Sequence, residues 1–202
     1  MGIYSTKSKW QQALRPFVAF CGRNQVHPDV FTYGALVLSF VAAFAFLRAG
    51  AHRAWLWLVP PCVLVRLLLN LMDGLVAREI GLASAWGEVK NEFGDRVADA
   101  AIFLGLGFGG YVDVRLVALA LALILCVSYL GILGKALGGV RVYGGIFGKG
   151  DRMISLAAFT LYPLFSGNLA SYDWYLAVAA LAATVTIVQR LRIIYGHAKP
   201  SR

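Results

Sequence analysis

The chain has 202 residues, of which 59% are hydrophobic and only 14% are charged, and its mean hydropathy is +0.70. Soluble globular domains, disordered chains, coiled coils and collagen have more polar or more repetitive compositions, so these classes are excluded. The net charge of +9 would suggest nucleic-acid binding in a soluble protein, but in a membrane protein it more often marks the cytoplasmic loops.

The first predicted element is a helix at residues 4–21, where Lys and Arg are mixed with Trp10, Phe17 and Phe20. This mixture is typical of an amphipathic helix in the lipid headgroup layer, so residues 1–25 are predicted to form an interfacial segment. Residues 26–202 are predicted to form one membrane domain. Six apolar stretches in that domain have about the ~20-residue length of a membrane span: 29–48, 54–77, 87–110, 114–138, 151–168 and 172–195. We therefore expect an all-α integral membrane protein with six transmembrane helices.

Six spans place both termini on one side of the membrane. Fourteen Lys and Arg residues fall on that side and three on the other. By the positive-inside rule, the basic side is the cytoplasm. We therefore expect a multi-pass protein of the inner membrane with cytoplasmic termini, and no nucleic-acid partner is needed to explain the basic residues.

Acidic residues concentrate in the second and third predicted spans, because six of the ten lie in or between them. On the second span, Asn70 and Asp73 are three residues apart and share a helix face. On the third, Asn91, Asp95 and Asp99 follow at intervals of four and form a polar stripe. A carboxylate at membrane depth costs at least ~2.5 kcal/mol, so such groups usually face a cavity, a partner or a metal. The two polar faces are expected to meet near the cytoplasmic surface.

Two interpretations of this polar cluster follow from spacing alone. Oxygen atoms of Asp and Asn suit hard divalent cations such as Mg²⁺ or Mn²⁺, and no His or Cys lies close in sequence. Alternatively, the acids form ion pairs with Arg78 and Arg96 that hold the helices together without catalysis.

The order of residues across both spans matches a known signature. It contains Asn70, Asp73, Gly74, Ala77 and Arg78, then Gly87 after eight residues, and then Asn91 and Asp95. This pattern resembles D-x2-D-G-x2-A-R-x8-G-x3-D-x3-D of the CDP-alcohol phosphatidyltransferase family, and the resemblance covers most of the chain. Asn70 and Asn91 stand where the signature has its first and third aspartates, which lowers the negative charge of the site. Asp99, one turn after Asp95, would restore one charge.

The resemblance implies a membrane enzyme of phospholipid synthesis that moves a phosphatidyl group from CDP-diacylglycerol to an alcohol and releases CMP. It implies two Mg²⁺ or Mn²⁺ ions, bridged by Asp73 and further held by Asn70, Asn91 and Asp95. Asp95 would be the general base that takes the acceptor proton, and Asp99 is the alternative base. A second reading is a member of the same fold that binds the CDP-lipid but is catalytically weakened. A third is a solute carrier, although no inverted repeat is visible.

The resemblance also implies a donor site formed by Asp73, Gly74, Ala77, Arg78 and Gly87. The small residues would leave room for the nucleotide, and Arg78 would pair with a phosphate. Ordinary helix packing is the alternative explanation of the glycines.

The glycine-rich segment 139–152 contains Arg141, Lys149 and Arg152. It lacks the Walker A pattern. We expect its cations to bind a phosphate of the donor or of a phosphorylated polyol acceptor, with a basic connector as the alternative. Elsewhere, Gly105 to Gly109 and Gly134 to Gly138 match G-x-x-x-G, which fits a homodimer or packing within one chain equally well.

Overall fold

The computed structural model describes residues 7–137 and 141–198, and this part of the chain is all-helical. Its α-helices are α1 (Lys7–Arg23), α2 (Asp29–Ala49), α3 (Val59–Glu79), α4 (Ala85–Gly107), α5 (Val114–Ala136), α6 (Lys149–Ser166) and α7 (Tyr172–Ala198). Short 3₁₀ helices, Arg53–Leu58 and Leu169–Ser171, lead into α3 and α7. Residues 1–6 of the predicted interfacial segment, and Gly138 and Gly139, lie outside the described residues.

Four helical segments are long and apolar enough to cross a membrane: Asp29–Ala49, Arg53–Glu79, Val114–Ala136 and Leu169–His197. In the most apolar 18-residue stretch of each segment, only 28–33% of the residues are buried inside the protein. Apolar side chains therefore cover much of the outer surface of the helix bundle. Such a surface is stable against lipid and not against water. The chain is therefore a multi-pass membrane protein, as its composition predicts.

The remaining two predicted stretches also coincide with helices, α4 and α6. Their bounds follow from local capping chemistry. The Ser84 hydroxyl accepts a hydrogen bond from the Gly87 amide at 3.1 Å and so begins α4. Gly167 ends α6 with a left-handed φ of 77°. The predicted third span extends to residue 110, whereas α4 ends at Gly107, because the chain turns at Gly110, which has a φ of 77°.

Glycines on α4 allow α2 to pack closely against it. A Cβ added to Gly105 would overlap the backbone of Ala43, and one added to Gly109 would lie 2.9 Å from the Phe46 carbonyl oxygen. The face of the Gly105 to Gly109 motif is thus filled by α2 of the same chain. The structure therefore shows packing within one chain at this motif.

Two apolar clusters hold the helices together. The larger one draws on α2 to α7 and includes Phe46, whose ring meets that of Tyr172 edge-on at 5.6 Å between centroids. The smaller one ties α1 to α2 and α3 through Cys21, Phe31 and Met72. Helices α2, α4 and α6 begin, and α3 ends, at the same end of the bundle, where the smaller cluster also lies.

Candidate active site

A cleft opens between α2, α3 and α4 at this end of the bundle. It encloses about 180 Å³ of empty space, part of it open to solvent. Its lining residues are Thr32, Ala35, Leu36, Arg66, Asn70, Asn91, Gly94, Asp95 and Ala98. The cleft therefore joins the polar residues of the second and third predicted spans with the first turn and a half of α2.

Two side-chain hydrogen bonds connect the helices around the cleft. The Asn70 amide nitrogen donates to Oδ1 of Asp95 at 3.2 Å and so links α3 to α4. The Thr32 hydroxyl donates to Oδ2 of Asp73 at 3.3 Å and links α2 to α3. Asp73 and Asp95 are 5% and 6% exposed, and the charges of Lys149 and Asp95 both act on Asp73. The two halves of the motif thus meet in space, although they are separated in sequence by the α3–α4 turn.

Three cations surround the carboxylate of Asp95. The Lys149 ammonium lies 2.5 Å from Oδ1, because α6 begins at this residue and points its first side chain toward α4. Guanidinium nitrogens of Arg66 and Arg96 lie 3.8 Å from Oδ1 and Oδ2, respectively. Asp95 therefore lies in a strongly positive environment at the wall of the cleft.

Asp99 lies one turn deeper on α4 and is fully buried. Its two oxygens are taken by two arginines, Arg66 at 2.9 Å and Arg152 at 2.5 Å. Arg152 is itself only 1% exposed. Each guanidinium group thus has a carboxylate oxygen as its partner, and removal of that carboxylate would leave buried positive charge uncompensated.

The predicted donor-binding residues form a continuous strip on the last turns of α3. A Cβ on Gly74 would meet only the guanidinium of Arg78, at 3.5 Å, so the glycine face has no other neighbour within 4 Å. The Gly74 amide donates to Oδ1 of Asp73 at 2.5 Å. Ala77 is half-buried and Arg78 is exposed. Gly87 lies apart from this strip, in the capping turn of α4.

The segment before α6 is fixed to its neighbours by hydrogen bonds. Arg190 of α7 donates from Nε to the Gly144 carbonyl at 2.9 Å and from Nη1 to the Val127 carbonyl at 2.5 Å. Arg141 forms an ion pair with Glu92 of α4. Of the three cations predicted to bind phosphate, Arg141 and Lys149 therefore contact α4 close to Asp95, whereas Arg152 is buried beside Asp99.

Three site residues were not predicted from the sequence: Thr32, Arg66 and Arg190. Arg66 carried a signal, since a charged residue within an apolar span and one turn before Asn70 falls on the same helix face. Thr32 and Arg190 gave no such signal, because a threonine near the end of a span and an arginine near the cytoplasmic end of the last span are common in membrane proteins.

A divalent cation of the Mg²⁺ type needs several oxygen ligands. Among residues 7–137 and 141–198, no group of three or more His, Cys, Asp or Glu side chains is placed to hold a metal ion. Asp73 nevertheless fits in kind, because its carboxylate oxygens are hard ligands. In the described residues, no Lys or Arg nitrogen lies within 4.0 Å of it. The amide side chains of Asn70 and Asn91 add neutral oxygen atoms to the same cleft.

The chain is thus a helical membrane protein in which carboxylates and cations gather at one polar cleft. The sequence profile of CDP-alcohol phosphatidyltransferases matches residues 25–188, and the chain belongs to that family. The resemblance noted from the motif is therefore confirmed. As a member, the chain is a membrane transferase of phospholipid synthesis that moves a substituted phosphate group.

Similar proteins match over nearly the whole chain. Inner membrane protein YnbA of Escherichia coli is 32% identical over 200 residues, covering 96% of each chain. Archaetidylinositol phosphate synthase of Aeropyrum pernix is 30% identical over 204 residues, covering 98% of each. Phosphatidylinositol phosphate synthase of Mycobacterium tuberculosis with CDP-DAG bound has the same fold, with a TM-score of 0.72 at 24% identity, over 93% of this chain and 97% of that one. A second structure of that enzyme contains manganese and citrate, with a TM-score of 0.72 at 24% identity, over 93% and 92%.

Proposed function

We propose that this chain transfers a phosphatidyl group from CDP-diacylglycerol to the hydroxyl group of a small alcohol and releases CMP. The observation that carries the proposal is the hydrogen bond between Asn70 and Asp95, which brings the two halves of the family motif to one cleft. The CDP-DAG complex of the M. tuberculosis enzyme supports a CDP-lipid donor.

All six helices from α2 to α7 span the inner membrane in this proposal. α4 has 23 residues and α6 has 18, which is close to the length that a bilayer requires. Their charged side chains do not oppose this, since Asp99 and Arg152 are paired inside the protein and away from lipid. The excess of Lys and Arg on the side of the cleft puts that side in the cytoplasm.

The N-terminal helix α1 lies in the headgroup layer of the same leaflet. Phe17 and Phe20 are more than half exposed, and Arg15 and Arg23 are exposed on the same helix. Apolar and basic groups presented together suit the boundary between acyl chains and anionic headgroups. The packing of α1 on α3 then keeps this helix next to the cleft.

The donor lies along the α3 strip, with its diphosphate next to Asp73 and its nucleotide over Gly74 and Ala77. Arg78 binds a phosphate oxygen at the exposed end of that strip. Mg²⁺ or Mn²⁺ held by Asp73, together with oxygens of Asn70, Asn91 or Asp95, would polarise the diphosphate as a Lewis acid. The manganese complex of the M. tuberculosis enzyme supports this class of ion.

Asp95 acts as the general base. It borders the cleft, whereas both oxygens of Asp99 are held by buried arginines. The acceptor oxygen forms a bond to the phosphorus that carries diacylglycerol. The bond from that phosphorus to the bridging oxygen breaks, CMP leaves with the oxygen, and the acceptor proton moves to Asp95.

The acceptor is a phosphorylated polyol. Two similar enzymes carry names that include inositol phosphate, and Arg141 and Lys149 contact α4 at Glu92 and Asp95, beside the cleft. Arginine and lysine bind phosphate by charge-assisted hydrogen bonds.

The test is CMP release by the purified protein with CDP-diacylglycerol, Mn²⁺ and one alcohol at a time. Inositol phosphate and glycerol phosphate should support turnover, and inositol, serine and choline should not. Asp95→Asn should lose at least about a hundredfold in rate, the typical contribution of a positioned base. Asp113→Asn, an exposed acid at the other end of the bundle, is the matched control. Donor binding without CMP release from any alcohol would establish the catalytically weakened alternative.

A further inference from the structure

Asp95 lines the cleft and Asp73 lies behind the cleft residue Thr32, and the two carboxylates have very different surroundings. Asp73 receives hydrogen bonds from the Thr32 hydroxyl and the Gly74 amide, which are both neutral donors. Asp95 has an ammonium nitrogen at 2.5 Å and two guanidinium nitrogens at 3.8 Å. Among the described residues, no Lys or Arg nitrogen is in direct contact with Asp73, and Lys149 acts on it only from a distance, whereas Asp95 is in direct contact with that ammonium group.

The cations at Asp95 are held in place by other contacts. The Arg66 guanidinium is 1% exposed and also pairs with Asp99 at 2.9 Å and contacts the Met153 sulfur at 2.9 Å. Lys149 reaches Asp95 from the first residue of α6, whose start is capped by Asp151 through the Gly148 amide at 3.1 Å. A divalent ion placed beside Asp95 would be repelled by both groups, and Arg66 has no solvent into which it can turn.

The amide of Asn70 adds to this asymmetry. Its nitrogen, which carries only hydrogen-bond donors, faces Oδ1 of Asp95, the same oxygen that Lys149 contacts. A donor N–H cannot ligate a cation. Asp95 thus faces an amide nitrogen and an ammonium group, whereas Asp73 has no Lys or Arg nitrogen within 4.0 Å in the part of the chain that the structure describes.

We propose that the site binds one divalent cation, at Asp73, and that the ammonium group of Lys149 supplies at Asp95 the positive charge that a second ion would bring. The inference rests on the proposed function, since both charges are there to neutralise the donor diphosphate. It also gives a physical role to Asn70 and Asn91: two fewer negative charges match one fewer divalent ion.

The experiment counts bound Mn²⁺ by electron paramagnetic resonance, from the loss of the free-ion signal as purified protein is titrated in the presence of CDP-diacylglycerol. The wild type should bind one Mn²⁺ per chain. Asp73→Asn should bind none, and Asp95→Asn should keep one. Two ions per wild-type chain, or an ion retained in Asp73→Asn, would overturn the inference.

A variant that gains a second Mn²⁺ site tests the inference without the objection that loss of an ion reflects misfolding. The triple variant Asn70→Asp, Asn91→Asp, Lys149→Met restores two carboxylates and removes the ammonium, and it should bind two Mn²⁺ per chain. A count of one in this variant, with a wild-type melting temperature, would contradict the role of Lys149. Asp113→Asn again serves as the control and should keep one ion.

Turnover and ion count separate this inference from the proposed function. One Mn²⁺ per chain without CMP release from any alcohol would contradict the enzymatic proposal and leave the single ion standing. Two Mn²⁺ per chain with full CMP release would contradict the single-ion inference and support the enzymatic proposal. Lys149→Met alone should weaken binding of CDP-diacylglycerol about tenfold, by loss of one charge-assisted contact. Lys149→Arg should restore most of the lost affinity. Donor binding of wild-type strength in Lys149→Met would count against the inference.

Discussion

Replacing Asp99 by asparagine should destabilise the protein far more than the same change at Asp95. Asp99 is fully buried, and its two oxygens lie 2.9 and 2.5 Å from Arg66 and Arg152. The neutral amide in Asp99→Asn would keep the shape but leave the buried guanidinium of Arg152 without its carboxylate and that of Arg66 with only Asp95, at 3.8 Å. Removal of one partner from a buried ion pair costs about 3–5 kcal/mol. For a chain of this size, that corresponds to a fall of roughly 6–20 °C in melting temperature.

The assay is thermal unfolding of the purified protein in detergent, followed by intrinsic fluorescence. Asp95→Asn should lose less than half as much stability, because Lys149 is 18% exposed and can turn toward solvent when its partner is removed. The triple variant Asp99→Leu, Arg66→Met, Arg152→Met should recover most of the loss, since apolar side chains of similar volume can replace a buried ionic triad. An Asp99→Asn protein that melts within about 2 °C of the wild type would refute the reasoning.

Three further substitutions test other parts of the structure. Gly105→Val places a side chain on the Ala43 backbone, so α2 and α4 must separate and stability should fall by about 1–3 kcal/mol in the same melting assay. Arg190→Gln removes hydrogen bonds to two backbone carbonyls, and hydrogen exchange in the segment before α6 should accelerate roughly tenfold. Thr32→Val removes the neutral donor to Asp73, and the KM for CDP-diacylglycerol should change about fivefold while the melting temperature stays constant.

Each of these variants has a matched control. Gly94→Ala on α4 meets nothing within 4 Å and should melt like the wild type; equal losses in the two glycine variants would contradict close packing at residue 105. Arg192→Gln, on an exposed position of α7, should leave hydrogen exchange unchanged. Thr184→Val loses only a bond to the Ala180 carbonyl of its own helix, so an equal effect on KM would show that the hydroxyl of Thr32 has no special role.

Local periodicity predicted the polar faces of the site because both depend on short spacings. Asp73 and Asn70 share the end of α3, and Asp95 follows Asn91 by one turn on α4, so their relative positions follow from 3.6 residues per turn. The meeting of the two faces followed from the antiparallel order of adjacent spans. Hydropathy likewise located all six stretches that became α2 to α7, with differences of a few residues at the ends.

The partners of the arginines could not be predicted in the same way. Arg66 is 33 residues from Asp99 and 87 from Met153, and such contacts depend on how α3, α4 and α6 rotate and approach one another. Arg152 was expected to bind phosphate because it ends a glycine-rich basic segment. The start of α6 at Lys149 instead places Arg152 one turn inside the bundle, where it pairs with Asp99. The partners of Arg66 and Arg152 depend on the rotation of each helix about its axis, and the spacing of residues in the sequence does not give that rotation.

The proposed activity requires both Asp73 and Asp95 for turnover of a CDP-lipid at this site. The most direct measurement is the mass spectrum of lipid extracts from cells that express the wild type or Asp73→Ala at equal levels in the membrane. We expect a phospholipid whose headgroup carries the polyol acceptor in wild-type cells and its absence in the variant. The same lipid at the same abundance in both extracts would contradict the account.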